Sequence, residues 1–320
     1  MARRAFEAKG VIPATLAIFD TEFEIDSKAT AKHLRDVADT PGLSAITVNG
    51  HASEIHACSF DEQRRLLAES LAEVGDELPL VNGVYADGSA AAAEIARMAE
   101  AEGASALLVF PPNSMSLGGQ LRPEMALAHI QAVASATDLP LIVFQYPAAT
   151  GLGYPLDTLV QIFEQVPRAV AIKDWCNDPM LHERQIRTLA GLPRPVNVLT
   201  THSSWLMASL SMGPAGLLSG AGSVIPDLQV ELFEAVQAGD LNRARAVNDR
   251  IYPVAQAFYR PPFLDMHNRM KECLVLLGRT ERAVVRPPLI KLTDAEIDAL
   301  AVALTDAGLL NDMGDVRAAE

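Results

Sequence analysis

The sequence predicts an α/β barrel of eight parallel strands, each followed by a helix, with a helical extension after the last unit. Three observations predict it. Short apolar runs alternate eight times with longer amphipathic stretches over about the first 240 residues. The runs are continuously apolar, as expected of strands covered on both faces. No glycine-rich phosphate turn follows the first run, which disfavours the doubly wound sheet, the other architecture made of strand–helix units.

VIPATLAIF (11–19) reads as the first strand and SKATAKHLRDVAD (27–39) as the first helix, with Ser27 as its N-cap. SAITVNG (44–50) is the second strand, before the helix FDEQRRLLAESLAEV (60–74). LPLVNGV (78–84) precedes an alanine-rich helix from Ser89 to about Glu102–Gly103. SALLVF (105–110) precedes a helix over 122–137, and LPLIVFQY (139–146) one over about 155–165. AVAIK (169–173) is followed by a helix over 178–190, VNVLTT (196–201) by one over 203–212, and AGLLSG (215–220) by one over 226–239. Beyond 240 the pattern is helical only, over 241–257, 263–277 and 293–308. The chain thus divides into a catalytic barrel (1–240) and an extension packed on it (241–320).

Of the 320 residues, 49% are hydrophobic and 21% charged, an ordinary globular composition. The formal net charge of −14 repels phosphate backbones and anionic membrane surfaces, so neither nucleic acid nor membrane is an expected partner. Cys58, Cys176 and Cys273 show no disulfide framework or zinc spacing, which predicts a reducing cytoplasm. MARRAFEAKG is not followed by an apolar segment, and no run approaches the ~18 apolar residues of a membrane span.

In a barrel the C-terminal strand ends carry the site. Lys173 closes the sixth strand, and between positions 32 and 271 it is the only lysine; elsewhere in that span cations are arginines. Loss of hydration there lowers a lysine's pKa and leaves a nucleophilic amine suited to Schiff-base catalysis. A rim lysine paired with Asp174 is the other reading. In FQYPAATG, alternation places Phe144 and Tyr146 on one face. If that face is inward, Tyr146 offers a phenol near the amine, as acid/base or orienter; packing without chemistry fits equally. NGHASEIH (49–56) can hold a carboxylate on successive amides, with Gly50, Ala52 and Ser53 as contacts. Its His51, Glu54 and His56, with His202 after strand seven, match no strong metal motif; Glu54 reads better as a cap or loop brace. GPAGLLSGAGS, with Leu218 and Ser219, lets backbone approach a ligand or simply packs tightly. Trp175 stands at the mouth as pocket wall or rim shield.

Taken together, these segments resemble the dihydrodipicolinate synthase/N-acetylneuraminate lyase family of class I aldolases. GVIPATLAIFD is similar to the family's GxxxAxxTPF opening, NGHASE to GTTGE, and LPLIVFQYPAATG to LPxxxYNxPxRTG. AVAIKDW matches the IKE-type Schiff-base segment, GPAGLLSGAGSV the GxxGxISxxxNV run, and KECLVLLGRTERAVVRPPL the C-terminal KxxLxxLG…xRPPL run. The resemblance implies a barrel with a C-terminal helical bundle, a homotetramer or dimer, no cofactor, and an imine between Lys173 and a 2-oxo acid. It also implies a divergent member. Phe144 stands at the catalytic tyrosine, His51 and Ala52 at the two threonines, Asn113 at the tyrosine of PYY, and Ala149 at the carboxylate-binding arginine. Thr201 and His202 alter the turn after strand seven. The implied function is a lyase, an aldolase or hydratase-aldolase, with His51 and Tyr146 as replacement proton carriers. Phe144 and Trp175 suggest an aryl or hydrophobic substrate tail. Synthase-like condensation and a barrel binding a carboxylate without turnover are the alternatives.

Overall fold

The computed structural model describes residues 3–310. Its strands are β1 (Gly10–Pro13), β2 (Ile46–Val48), β3 (Leu80–Val84), β4 (Ala106–Val109), β5 (Leu141–Gln145), β6 (Ala169–Asp174), β7 (Asn197–Thr200) and β8 (Gly216–Ser219). All pairs are parallel, in the order β1-β8-β7-β6-β5-β4-β3-β2. The parallel bridges Val11↔Leu43 and Ala14↔Thr47 join β1 to the β2 edge. This is the predicted eight-stranded barrel.

The intervening helices are α1 (Ser27–Ala38), α2 (Phe60–Val74), α3 (Ser89–Glu102), α4 (Pro123–Ala134), α5 (Leu156–Gln165), α6 (Pro179–Ala190), α7 (Leu206–Ser211) and α8 (Pro226–Gln237). Then come α9 (Leu241–Tyr259), α10 (Met266–Leu276) and α11 (Asp294–Asp306). No described helix is long and apolar enough to cross a membrane.

Two expectations shift. The first strand stops at Pro13, well short of Phe19. Residues 14–19 stay buried, but the chain there leaves the ladder to cross the rim, held by Thr15 N–H donating to Thr47 O at 3.0 Å and by the antiparallel bridge Phe19↔Ile25. The N-cap of α1 is Asp26, not Ser27. The Asp26 carboxylate accepts the Ala29 amide at 3.0 Å, which makes Ser27 the first helical residue.

Alternation along the strands sorts side chains into two layers. Ala106, Leu108, Ile142, Phe144 and Ala171 join the barrel interior, which is continuous with the core beneath α8, α9 and α10. Leu107, Val109, Leu141, Val143 and Ile172 pack outward with the surrounding helices. The parity of β6 therefore turns Lys173 inward with Ala171, and Asp174 outward with Ile172.

One ion pair ties the extension to the barrel. Glu54, in left-handed backbone conformation at φ 53° after the turn His51–Ser53, accepts Lys271 Nζ of α10 at 2.5 Å. Both side chains are 1% exposed. The second Glu54 oxygen accepts the Arg286 amide at 2.9 Å, and Lys271 also donates to Val284 O at 2.8 Å. The Phe19 ring lies 4.2 Å from the Lys271 ammonium and 4.4 Å from the Arg286 guanidinium. Sequence reading weighed Glu54 as a metal ligand and preferred a capping or bracing role; its partner lies 217 positions away.

Removing one member of such a pair leaves a buried charge uncompensated. Lys271→Met should lower stability by about 3–5 kcal/mol, whereas Glu54→Gln with Lys271→Met should recover much of that loss. Urea denaturation of the three proteins checks this. Equal midpoints for Lys271→Met and the parent would remove the pair's structural role.

Candidate active site

Lys173, at the end of β6, is 6% exposed. Its amine lies 4.2 Å from the centroid of the Phe144 ring, and among the described residues no hydrogen-bonding group meets it. Register explains the ring: Phe144 of β5 is paired directly with Lys173. Burial alone pushes the amine down to about 7. Relative to its ordinary value of 10.5, that is about 5 kcal/mol of lost preference for the ammonium form, with no carboxylate to restore it. The rim pairing of Lys173 with Asp174 is not what forms.

Asp174 faces α6 instead. Its carboxylate accepts the Cys176 amide at 2.8 Å and bonds His182 Nδ1 at 2.6 Å. His182 Nε2 bonds Ser209 Oγ at 2.8 Å, Ser209 bonds Thr200 Oγ1 at 2.6 Å, and Thr200 bonds His202 Nδ1 at 3.0 Å. The far His202 nitrogen accepts the Asn177 amide at 3.1 Å. Burial, despite Asp174, holds His202 down to about 4. Asp174, Cys176 and His202 are close enough together to hold a metal ion. Their lone pairs are nevertheless taken by these hydrogen bonds. The metal set considered from the sequence (His51, Glu54, His56 and His202) is not brought together, because Glu54 is bound to Lys271 and His202 belongs to the network behind β6.

A cavity of about 40 Å3 opens in front of Lys173, lined by His51, Phe144, Lys173, Trp175, Thr201, Gly220, Tyr259, Met266 and His267. His51 Nε2 and the Tyr146 hydroxyl share a hydrogen bond. Burial, then the Lys173 charge, holds His51 down to about 3, and burial holds the Tyr146 phenol far above its usual value. Both groups are therefore neutral. The His51 and Ala52 amides, the first two of their short turn, have no backbone acceptor among the described residues. Ser53 is turned away, its hydroxyl donating to Thr15 O at 2.8 Å.

Rings form the outer wall. Centroids are 5.2 Å apart for Phe110–Phe144, 4.5 Å for Phe144–Tyr146, 5.5 Å for Tyr146–Trp175 and 5.8 Å for Trp175–Phe263.

Of the residues predicted from sequence, His51, Phe144, Lys173 and Trp175 line the cavity, with Gly50 and Ala52 in the loop after β2 that carries His51 and Tyr146 beside His51. Asn113 sits outside, bonded to the Tyr85 hydroxyl and accepted at its amide by Asp87. Leu218 is core, and Ser219 bonds Ser203 Oγ at 2.7 Å behind the wall. His202 lies in the outward network. Tyr259, Met266 and His267, from the extension, were not anticipated; no periodic signal in the sequence aims helices beyond the last strand at the mouth.

A desolvated lysine inside the C-terminal mouth of a (β/α)8 barrel, facing unclaimed amides, is the arrangement of an imine-forming barrel lyase. The chain belongs to the dihydrodipicolinate synthetase family, whose model matches residues 7–307. An uncharacterised DapA-like lyase of Halobacterium salinarum is 31% identical over 307 residues, 94% of each chain. The 4-hydroxy-tetrahydrodipicolinate synthase of Kineococcus radiotolerans is 30% identical over 305 residues, 93% of each. Among solved structures, the prophage protein YagE of E. coli K12, determined in complex with pyruvate, superposes with a TM-score of 0.86 at 22% identity, covering 95% of this chain and 99% of that one. Membership supports a class I, Schiff-base lyase.

The lowered amine has a direct readout. Trace acetylation of Lys173 by acetic anhydride, which consumes the neutral amine, should rise with pH to half its plateau near pH 7. Peptide mass spectrometry follows the labelling, and a half-plateau at about pH 9 or above would show that Lys173 is an ordinary surface amine.

Proposed function

We propose that this chain is a lyase that forms an imine between Lys173 and a pyruvate-type 2-oxo acid, with aldol cleavage, addition, dehydration or hydration at the carbon beyond. One observation carries the reading: the Lys173 amine is buried and unpaired, its pKa brought by burial down to about 7, inside a cavity at the C-terminal end of the barrel strands. The roles follow from the neighbours. The His51 and Ala52 amides hold the substrate carboxylate. Lys173 attacks the carbonyl carbon, and Tyr146 with His51 carries the protons that convert the carbinolamine into imine and water. Two neutral groups sharing a hydrogen bond pass a proton in either direction without creating a buried charge pair.

The distal end is apolar. Phe144, Tyr146, Trp175 and Phe263 present ring faces and edges rather than charges, which supports an aryl or hydrophobic tail. Synthase chemistry lacks its support at the same end, since Ala149 is exposed and carries no charge, and Asn113 is engaged outside the cavity. The free thiols of Cys58, Cys176 and Cys273 fit a cytoplasmic setting, and family membership supports a homotetramer or dimer.

Pyruvate with borohydride should give a covalent adduct by intact mass on the parent protein and none on Lys173→Ala. An adduct on the variant, or none on the parent, would sink the imine reading. Tyr146→Phe should still trap pyruvate, more slowly, while turnover in a screen of aryl-substituted 2-oxo acids falls about 10²–10⁴-fold. Unchanged turnover in that variant would remove the phenol from the mechanism.

A further inference from the structure

His267 of α10 is 8% exposed, lines the Lys173 cavity, and has no hydrogen-bonding partner at either ring nitrogen among the described residues. A histidine packed for structural reasons satisfies its nitrogens; this one lines the cavity with neither of them engaged. Its placement depends on Gly220, just past β8. A Cβ there would come within 3.3 Å of His267 Nε2 and 3.8 Å of Met270 Cε. Met270 and Lys271 follow His267 by three and four positions, so all three share the face of α10 that meets the barrel. The Lys271 bond to Glu54 then fixes the helix in register.

The ring lies on the side of the cavity that the Tyr146–His51 pair leaves open. In the barrel order, β5 with Phe144 and Tyr146 flanks β6 on one side, and β7 and β8 with Thr201 and Gly220 flank it on the other. Phe144 covers one side of the Lys173 amine with a ring that has no proton to exchange. A group acting at C3 of a planar imine must approach across the other side, where His267 stands. Burial above all, with the cationic Lys271 of the same helix adding to it, keeps this imidazole neutral and able to accept a proton. The anionic carboxylate of a bound substrate offsets that charge and strengthens the base.

We infer that His267 is the proton carrier at C3 of the Lys173-bound 2-oxo acid. The inference rests on the imine reading above. With pyruvate, a C3 proton passes to the imidazole, the C–H electron pair becomes the C2=C3 bond, and the imine pair returns to nitrogen. The reverse step restores the methyl group. In cleavage, the imidazole takes the proton of the C4 hydroxyl, the O–H pair becomes the C4=O bond of the released carbonyl product, the C3–C4 pair becomes the C2=C3 bond as the imine pair returns to nitrogen, and the same proton is then delivered to C3.

The experiment needs only pyruvate. In D2O the parent should exchange its methyl protons, followed by 1H NMR, and should be trapped by borohydride. His267→Gln should still be trapped while exchange falls at least about 100-fold, and added imidazole should restore exchange in His267→Ala. Tyr146→Phe should slow trapping and exchange together, leaving their ratio unchanged. Exchange at the parental rate in His267→Gln overturns the assignment. So does loss of trapping along with exchange in a His267→Gln protein that keeps the parental circular dichroism, because the ring would then serve imine formation. A parent that is never trapped fails the imine reading itself, a separate result.

Discussion

The ion pair between Glu54 and Lys271 is the constraint on which the geometry of the mouth depends. Glu54 lies three residues after His51, and Lys271 lies four after His267 on the same helix face. One 2.5 Å contact therefore sets the distance between the two imidazoles of the cavity. Burying two charges is costly, and their mutual attraction is not enough unless the remaining donors and acceptors are also satisfied. Here they are: the Arg286 amide and the Val284 carbonyl take the spare positions, and the Phe19 ring covers both cations. An apolar contact of similar volume would hold the helix against the barrel but would let it slide. The charged pair specifies register.

Strand parity does the complementary work at β6. Two adjacent polar residues, Lys173 and Asp174, end the same strand, and a one-residue slip would exchange their environments. Asp174 is held outward by His182, which is linked through Ser209 and Thr200 to His202. That chain fixes the strand end and keeps the nearest carboxylate away from the amine. Were Asp174 on the inner face, the ammonium form would gain back much of what desolvation removes, and the lysine would become a spectator.

The barrel was legible because eight apolar runs at regular spacing have few other solutions, and Lys173 was legible as a lone lysine closing one of them. Alternation along FQY placed Phe144 and Tyr146 on a shared face, and both belong to the interior core. What failed to show has a common physical cause. Leu218 and Ser219 looked exposed to ligand because their segment is rich in small residues, yet small residues there serve close packing: Leu218 is core and Ser219 bonds Ser203. His202 looked like a site histidine because it follows a strand, but the turn points it into the network behind β6. Tyr259, Met266 and His267 are set by tertiary docking of helices far along the chain, and amphipathic periodicity names a buried face without saying what it faces.

On the proposed reading, a chain with a net charge of −14 takes an anionic substrate and needs local compensation, which the cavity supplies in an indirect way. Desolvation is the first cause of the lowered pKa of Lys173, His51 and His267 alike. All three bases are thereby biased toward their uncharged forms in one small space, where three cations would repel one another strongly. A carboxylate entering that space favours protonation of each. Imine formation then removes Lys173 from the competition by fixing a positive charge on its nitrogen. Two imidazoles are left in the one cavity, one coupled to a phenol and one free, so a proton drawn toward the anion has two separate seats. The same burial that makes the lysine a nucleophile thus makes its neighbours usable as bases, so the three cannot be tuned independently by evolution or by mutation.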